Sequence, residues 1–97
     1  MTIVALDPTS GPIGASDTER RLAPRPRSLG GERLGLVVNG LGCSERFLDA
    51  LAEELVALGG IADVVKVVKP SVSVPPEPDD WARLTEGATV AVTGFGG

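Results

Sequence analysis

Few residues in this 97-residue sequence have side chains that could carry out chemistry. Cys43 is the single cysteine and histidine is absent, which excludes a histidine-based triad, a histidine metal site and an internal disulfide within the chain. Lys69, Ser71 and Ser73 could donate hydrogen bonds to an anion, because ammonium and hydroxyl groups are donors. Lys69 could equally be a solvent-facing lysine at a strand end. For Ser71 and Ser73 we slightly favour the interpretation that they are loop residues without a binding role.

Cys43 comes just before a predicted helix, and a helix start stabilises a thiolate. One interpretation of this residue is therefore an auxiliary or resolving thiol. We favour the simpler interpretation, a small residue in a tight loop, because no basic residue stands next to it in the sequence.

Glycines follow two of the apolar runs and would let a ligand approach the backbone closely. Asn39 stands at the first of these places, where we expect its side chain mainly to tie the loop by a hydrogen bond. The sequence Gly40-Leu41-Gly42 lacks the third glycine of a dinucleotide fingerprint, and no P-loop lysine follows. No metal ligands are predicted. The predicted substrate-binding residues are Asn39, Gly40, Lys69, Ser71, Gly94, Gly96 and Gly97.

The elements that would position these residues begin with an apolar run at 34–39, typical of a strand buried on both faces. Apolar residues then recur every three or four positions over 45–58, which predicts an amphipathic helix. Ser44 is the expected N-cap of this helix, and Gly59-Gly60 is expected to end it. The apolar stripe of the helix consists of Phe47, Leu48, Leu51, Leu55 and Leu58.

The second half of the sequence repeats this alternation. A valine-rich strand is predicted over 62–68 and a proline-rich loop over 71–78. A short helix over 79–86 follows, capped by Asp79 or Asp80, with Trp81 in the core. A third buried strand is predicted over 89–93.

Strands that alternate with helices of this length are parallel and joined by right-handed crossovers. The sequence thus predicts an α/β fold, half of a doubly wound, Rossmann-like sheet of three parallel strands with two helices. It divides the chain into an extended arm over 1–32 and an incomplete α/β domain over 33–97. Ligands of such sheets bind at the carboxyl ends of the strands, so we expect Asn39, Lys69 and Gly94 to share a crevice there.

The arm is rich in proline, glycine and arginine, and it is predicted to be irregular apart from a short edge strand at 3–6. Its arginine cluster (Arg20, Arg21, Arg25 and Arg27) is interpreted as a solvated linker rather than a phosphate-binding site, because prolines interrupt it. Residues 1–33 hold five basic and four acidic residues, for +1, and residues 34–97 hold four and nine, for −5. The total of −4 argues against a nucleic-acid or anionic-membrane partner.

The predicted compartment is the cytoplasm. No run approaches the ~20 apolar residues of a membrane-spanning helix, and the first residues do not resemble a secretory signal. A single cysteine also suits a reducing compartment.

Four stretches, read in order, resemble the UGSC family, a bacterial group named for a selenocysteine-Gly-Ser-Cys motif in which cysteine often replaces selenocysteine. The chain departs from the family where a lysine commonly follows Asn-Gly, because Leu41 stands there. The stretches are LDPT at 6–9, APRP at 23–26 with SL at 28–29 and LVVNG at 36–40, VKPS at 68–71, and VTGFGG at 92–97.

The resemblance implies that the reactive motif comes immediately after Gly97, so no catalytic residue and no cofactor is expected within the chain. For the absence of this motif from the sequence, we favour a UGA selenocysteine codon that was read as a stop. Another kind of truncation is the alternative. The chain would be the amino-terminal fragment of a thiol- or selenol-dependent oxidoreductase that acts on a small-molecule or thiol substrate, and it would be inactive alone.

An alternative hypothesis needs no missing motif. The chain could be a small non-catalytic module that binds an anionic metabolite or a partner on its strand-end loops. In either case a three-strand sheet leaves an edge open, through which copies could associate.

Overall fold

A computed structural model describes residues 2–6 and 22–94 of the chain. Its elements follow the predicted order: β1 (Arg33–Val38), α1 (Ser44–Gly59), β2 (Asp63–Val68), α2 (Pro78–Gly87) and β3 (Val90–Gly94). Each boundary lies within one residue of the predicted one. The alternation of apolar runs with amphipathic segments was therefore a sufficient signal for these elements.

The three strands form one parallel sheet with the order β2-β1-β3. The central position of β1 explains its continuous apolar sequence, because among the described strands only β1 has a neighbour on both sides. Leu34, Leu36 and Val38 are almost completely buried. The predicted α/β fold with a parallel three-strand sheet and two helices is confirmed.

The two helices cover opposite faces of the sheet. Leu34, Leu36 and Val38 pack with α1 residues in the main core, whereas Gly35, on the other face, lies against Leu84 of α2 and the adjacent Ala88. The chain passes from β1 to β2 in one direction and returns across β1 to β3. This reversal places a topological switch point between β1 and β3, as in doubly wound sheets.

The buried face of α1 differs from the predicted one. Leu48 is 1 % exposed and Ala52 is 6 % exposed, whereas Leu51 and Leu55 are only partly buried against the core. Phe47 is 57 % exposed, and Leu58 is also exposed. Because each residue of a helix turns by about 100°, Phe47 and Leu58 lie about 80–100° around the helix axis from Leu48. The apolar stripe is wider than the face that meets the sheet.

The prediction that Trp81 belongs to the core is also wrong, since this side chain is 53 % exposed. In α2 it is Leu84, three residues further along, that is buried against the sheet. A ten-residue helix presents only a narrow stripe to a sheet, and Trp81 lies off that stripe.

Both predicted N-caps are wrong. Cys43 precedes α1, and Ser44 is the first helical residue, fully buried without a side-chain capping bond. Glu77 precedes α2, and Pro78 occupies the first turn, where its missing N–H costs no helical hydrogen bond. The predicted end of α1 is confirmed: Gly60 has φ +73° and donates its backbone N–H to the Val56 carbonyl.

The outer strands are less buried than predicted. In β3, Ala91 and Thr93 are exposed, because within residues 22–94 this strand pairs only with β1, and α2 covers β2 and β1 instead. The predicted strand at 3–6 does not form: Ile3, Val4 and Leu6 are all more than 80 % exposed. Over residues 2–6 and 22–94, neither helix has the length and apolar character needed to cross a lipid bilayer.

Candidate functional site

The carboxyl ends of the three strands lie at the same end of the sheet. Val38, the last residue of β1, pairs with Val68 on one side and with Gly94 on the other. The switch point lies between β1 and β3, so Asn39 and Gly94, which follow and end these strands, adjoin it. Lys69 follows β2, on the other side of β1 and about two strand spacings, or about 10 Å, from β3. Asn39, Lys69 and Gly94 thus share one end of the sheet, and Lys69 lies on the far side of β1 from the switch point.

The loop between β1 and α1 is a tight turn built on Asn39. The backbone N–H of Leu41 donates to Asn39 Oδ1 over 3.0 Å, which is the structural role that we expected for this side chain. Gly40 and Gly42 have φ angles of +78° and +55°, a region that favours glycine. A Cβ at either position would meet no atom within 4 Å, so a ligand could approach the backbone there.

Cys43 stands between this turn and the first turn of α1. Its side chain is exposed, and its carbonyl accepts the N–H of Phe47 over 3.0 Å. The first backbone N–H groups of a helix have no intrahelical acceptors and attract anions. A thiol or a substrate anion at this point would experience that field. Next to Cys43, the hydroxyl of Ser44 is buried and has no hydrogen-bond partner within the described chain.

Lys69 and Ser71 shape the loop after β2. Lys69 Nζ donates to the Val72 carbonyl over 2.9 Å, and Ser71 Oγ accepts the backbone N–H of Ser73 over 3.3 Å. The backbone N–H of Lys69 also donates to the Val38 carbonyl, which fixes this loop to the end of β1. An ammonium has three donors, so the contact with Val72 leaves capacity for an anion. Binding by Lys69 and Ser71 stays a prediction.

The last predicted site residues, at the end of β3, are only partly described. Gly94 is half-buried, and a Cβ at this position would meet nothing within 4 Å. Gly96 and Gly97 lie outside the described residues. Within residues 2–6 and 22–94, no three His, Cys, Asp or Glu side chains are grouped closely enough to hold a metal ion.

Sequence reasoning missed Lys66, which holds the start of α1 against β2. Lys66 Nζ lies 2.9 Å from Glu45 Oε1 and 3.1 Å from Asp49 Oδ1. The hydrogen bonds to the two carboxylates raise the pKa of Lys66 above its ordinary value of 10.5, and the bond to Glu45 contributes more than the bond to Asp49. The lysine also offsets two carboxylates that would otherwise repel an anion at the helix start. The sequence feature that could have pointed to Lys66 is its position as the single charged residue inside the valine-rich run 64–68.

The raised pKa of Lys66 predicts a loss of stability at high pH. The folded state binds this proton more tightly than the unfolded state, so the contribution is complete below about pH 10.5 and disappears as pH rises through the folded-state pKa. We expect urea denaturation to show a fall in stability above about pH 10.5 that is smaller in Lys66→Met. Lys69→Met is the matched control, because the ammonium of Lys69 contacts a carbonyl oxygen. An equal fall in both variants would contradict the assignment to Lys66.

A comparison with protein families finds a match that extends over almost the whole sequence. The family model described as the UGSC family matches residues 4–97. The chain has no match among curated proteins or among solved structures.

Proposed function

We propose that this chain, which belongs to the UGSC family, is the amino-terminal part of a thiol- or selenol-dependent oxidoreductase and forms one wall of its active site. The observation that carries the proposal is the position of the exposed Cys43 and the start of α1 at the carboxyl end of β1, the strand that pairs with β3. The family resemblance implies a redox motif directly after Gly97. A chain of four residues reaches at most about 14 Å, so this motif would stay near the switch point.

The chemistry proposed for that motif is thiol–disulfide exchange. A selenolate or thiolate attacks one sulfur of a disulfide substrate, and the other sulfur leaves as a thiolate. The second cysteine of the motif then attacks the mixed bond, releases the remaining substrate thiol and closes a selenenyl sulfide or disulfide. An external dithiol supplies the two electrons that regenerate the enzyme.

The described residues would contribute an environment for this chemistry. The N–H groups at the start of α1 favour the anionic form of a sulfur or selenium nearby. The turn at Gly40 and Gly42 leaves room for a substrate beside that helix start. Cys43 would be an auxiliary thiol, able to exchange with a reactive group placed against it. Lys69 and Ser71 would bind an anionic part of the substrate at the neighbouring strand end.

A comparison of two chain lengths tests this proposal. The 97-residue chain and a chain extended through Cys-Gly-Ser-Cys are assayed for disulfide and peroxide reduction with a dithiol reductant. We expect turnover only from the extended chain, because the shorter one has a single thiol and no histidine. Extended chains with both motif cysteines replaced by serine, or with Cys43→Ser, separate the motif from the auxiliary thiol. Equal activity of the two lengths would exclude the motif as the active centre.

The nucleotide sequence after the Gly97 codon gives an independent test. An in-frame UGA followed by codons for Gly-Ser-Cys is the expected result. A UAA or UAG codon would favour a second candidate, a non-catalytic module for an anionic metabolite. That candidate is supported by the glycine turn and the helix start, which could bind a phosphate or carboxylate without any reactive thiol.

A further inference from the structure

The surface at the start of α2 contains an apolar pocket that the proposed redox function does not use. It is formed by Pro75, Pro76, Pro78 and Trp81 and has a volume of about 350 Å³. We call it the proline–tryptophan pocket. An indole face beside rigid proline rings is the kind of surface that receives proline-rich segments in the polyproline II conformation.

Acidic residues alternate with the pocket residues along the chain. Glu77 precedes α2, and Asp79 and Asp80 lie in its first turn. Asp80 pairs with Arg83 over 3.0 Å. Glu77 and Asp79 are exposed and form no ion pair with any residue in the described ranges. The segment that forms the pocket therefore contains two carboxylates available to a cationic partner.

The same chain contains a segment with the complementary composition. Residues 22–27, which we call the arginine–proline arm, read Leu-Ala-Pro-Arg-Pro-Arg. Residues 22–26 form no helix or strand, and Leu22 is 94 % exposed. Arg25 and Arg27 are exposed and make no ion pair within the part of the chain that the structure covers. The arm combines two prolines with two available guanidinium groups.

The arginine–proline arm cannot reach the proline–tryptophan pocket of its own copy. It enters the domain at Leu29, which packs against the core on the α1 face at the amino end of the sheet, where Gly31 N–H donates to the Gly60 carbonyl. The pocket lies on the α2 face at the carboxyl end, since α2 ends at Gly87 beside Arg33. The sheet is about 20 Å long in this direction, whereas the five residue steps from Leu29 to Pro24 span only about 16 Å as polyproline II, and the arm would also have to pass to the other face.

We infer that the proline–tryptophan pocket binds the arginine–proline arm of a second copy of this chain. Pro24 and Pro26 pack on Trp81 and the pocket prolines, and Arg25 and Arg27 pair with Glu77 and Asp79. Two copies exchange arms reciprocally, so that one pairing occurs twice in a symmetric dimer. This association uses neither the open strand edges nor the switch point.

Trp81 is the single tryptophan, so its fluorescence reports on the pocket directly. A peptide of residues 20–29 is titrated into the full chain, with a peptide in which Arg25 and Arg27 are replaced by glutamate as control. We expect a saturable blue shift with the first peptide and none with the second. In parallel, sedimentation of the chain alone is expected to show a monomer–dimer equilibrium that weakens with added salt.

Charge-reversal substitutions in the arginine–proline arm and in the pocket test the inferred dimer more sharply. The arm variant Arg25→Glu/Arg27→Glu and the pocket variant Glu77→Lys/Asp79→Lys should each dimerise at least about tenfold more weakly, because like charges then face each other. Equimolar mixing should restore dimers, since the acidic arm fits the basic pocket and the native arm fits the native pocket. All four substituted side chains are exposed, so circular dichroism of each variant should match the unsubstituted chain.

Three results would overturn the inference. The first is a chain that stays monomeric at all concentrations while the peptide leaves Trp81 emission unchanged. The second is a dimer whose strength neither variant alters, which would indicate association through a strand edge. The third is a monomer whose Trp81 emission responds to the arm substitutions, which would indicate binding within one copy.

Discussion

Replacing Leu48 with alanine is expected to lower the free energy of unfolding by about 2 to 5 kcal/mol. Leu48 is 1 % exposed and belongs to the core cluster with Leu34, Leu36 and Val38. The substitution loses the burial of the side chain and leaves a cavity between α1 and the sheet, which a rigid strand behind it cannot fill. Urea denaturation followed by circular dichroism measures the change.

Leu58→Ala is the matched control for this prediction. Leu58 belongs to the same helix and has the same chemistry, but it is 84 % exposed, so the expected change is within about 0.5 kcal/mol. Leu51→Ala should fall between the two, because Leu51 is only partly buried. A loss of less than about 1 kcal/mol for Leu48→Ala would mean that α1 is loosely attached to the sheet.

Gly35→Ala is the second substitution for which we expect a large effect, a loss of about 1 to 3 kcal/mol from overpacking. A Cβ at this position would lie 2.6 Å from Leu84 Cδ1 and 2.9 Å from Ala88 Cβ. The Leu84 side chain could rotate, but the Cβ of Ala88 moves only with its backbone. The end of α2 must therefore shift away from the sheet. The gain of about 0.4 to 1 kcal/mol from restricting the unfolded chain offsets only part of this cost.

Gly94→Ala tests whether the effect is steric. Gly94 is also a strand glycine, but a Cβ there would meet nothing within 4 Å, so little change in stability is expected. A double-mutant cycle of Gly35→Ala with Leu84→Ala should show favourable coupling, because the smaller side chain removes the closest contact. Equal losses for Gly35→Ala and Gly94→Ala would refute close packing of α2 on β1.

The candidate site shows which residues could be placed in advance. The predicted strand ends located Asn39, Lys69 and Gly94 at the correct end of the sheet, because parallel strands joined by helices begin and end at the same edges. That rule does not specify strand order. Only the order β2-β1-β3 shows that the switch point adjoins Asn39 and Gly94 and that Lys69 lies on the far side of β1.

Sequence alone determined the elements of this protein and its family. Runs such as 34–38 and the glycines that end α1 specify strand and helix through local backbone preferences, which do not depend on distant residues. The UGSC resemblance also comes from the sequence alone, because it depends on the order of short stretches. The family match over residues 4–97 agrees with it.

The tertiary structure decided which face of each element is buried and which charges meet. Leu48 and Leu51 are equivalent in a periodic pattern, and only the position of α1 over β1 buries the first more deeply. Lys66 joins Glu45 and Asp49 across 21 and 17 residues of sequence, a pairing that depends on the register of β2 beside β1. Burial and ion pairing are set by contacts between distant segments, and local preference contains no information about those contacts.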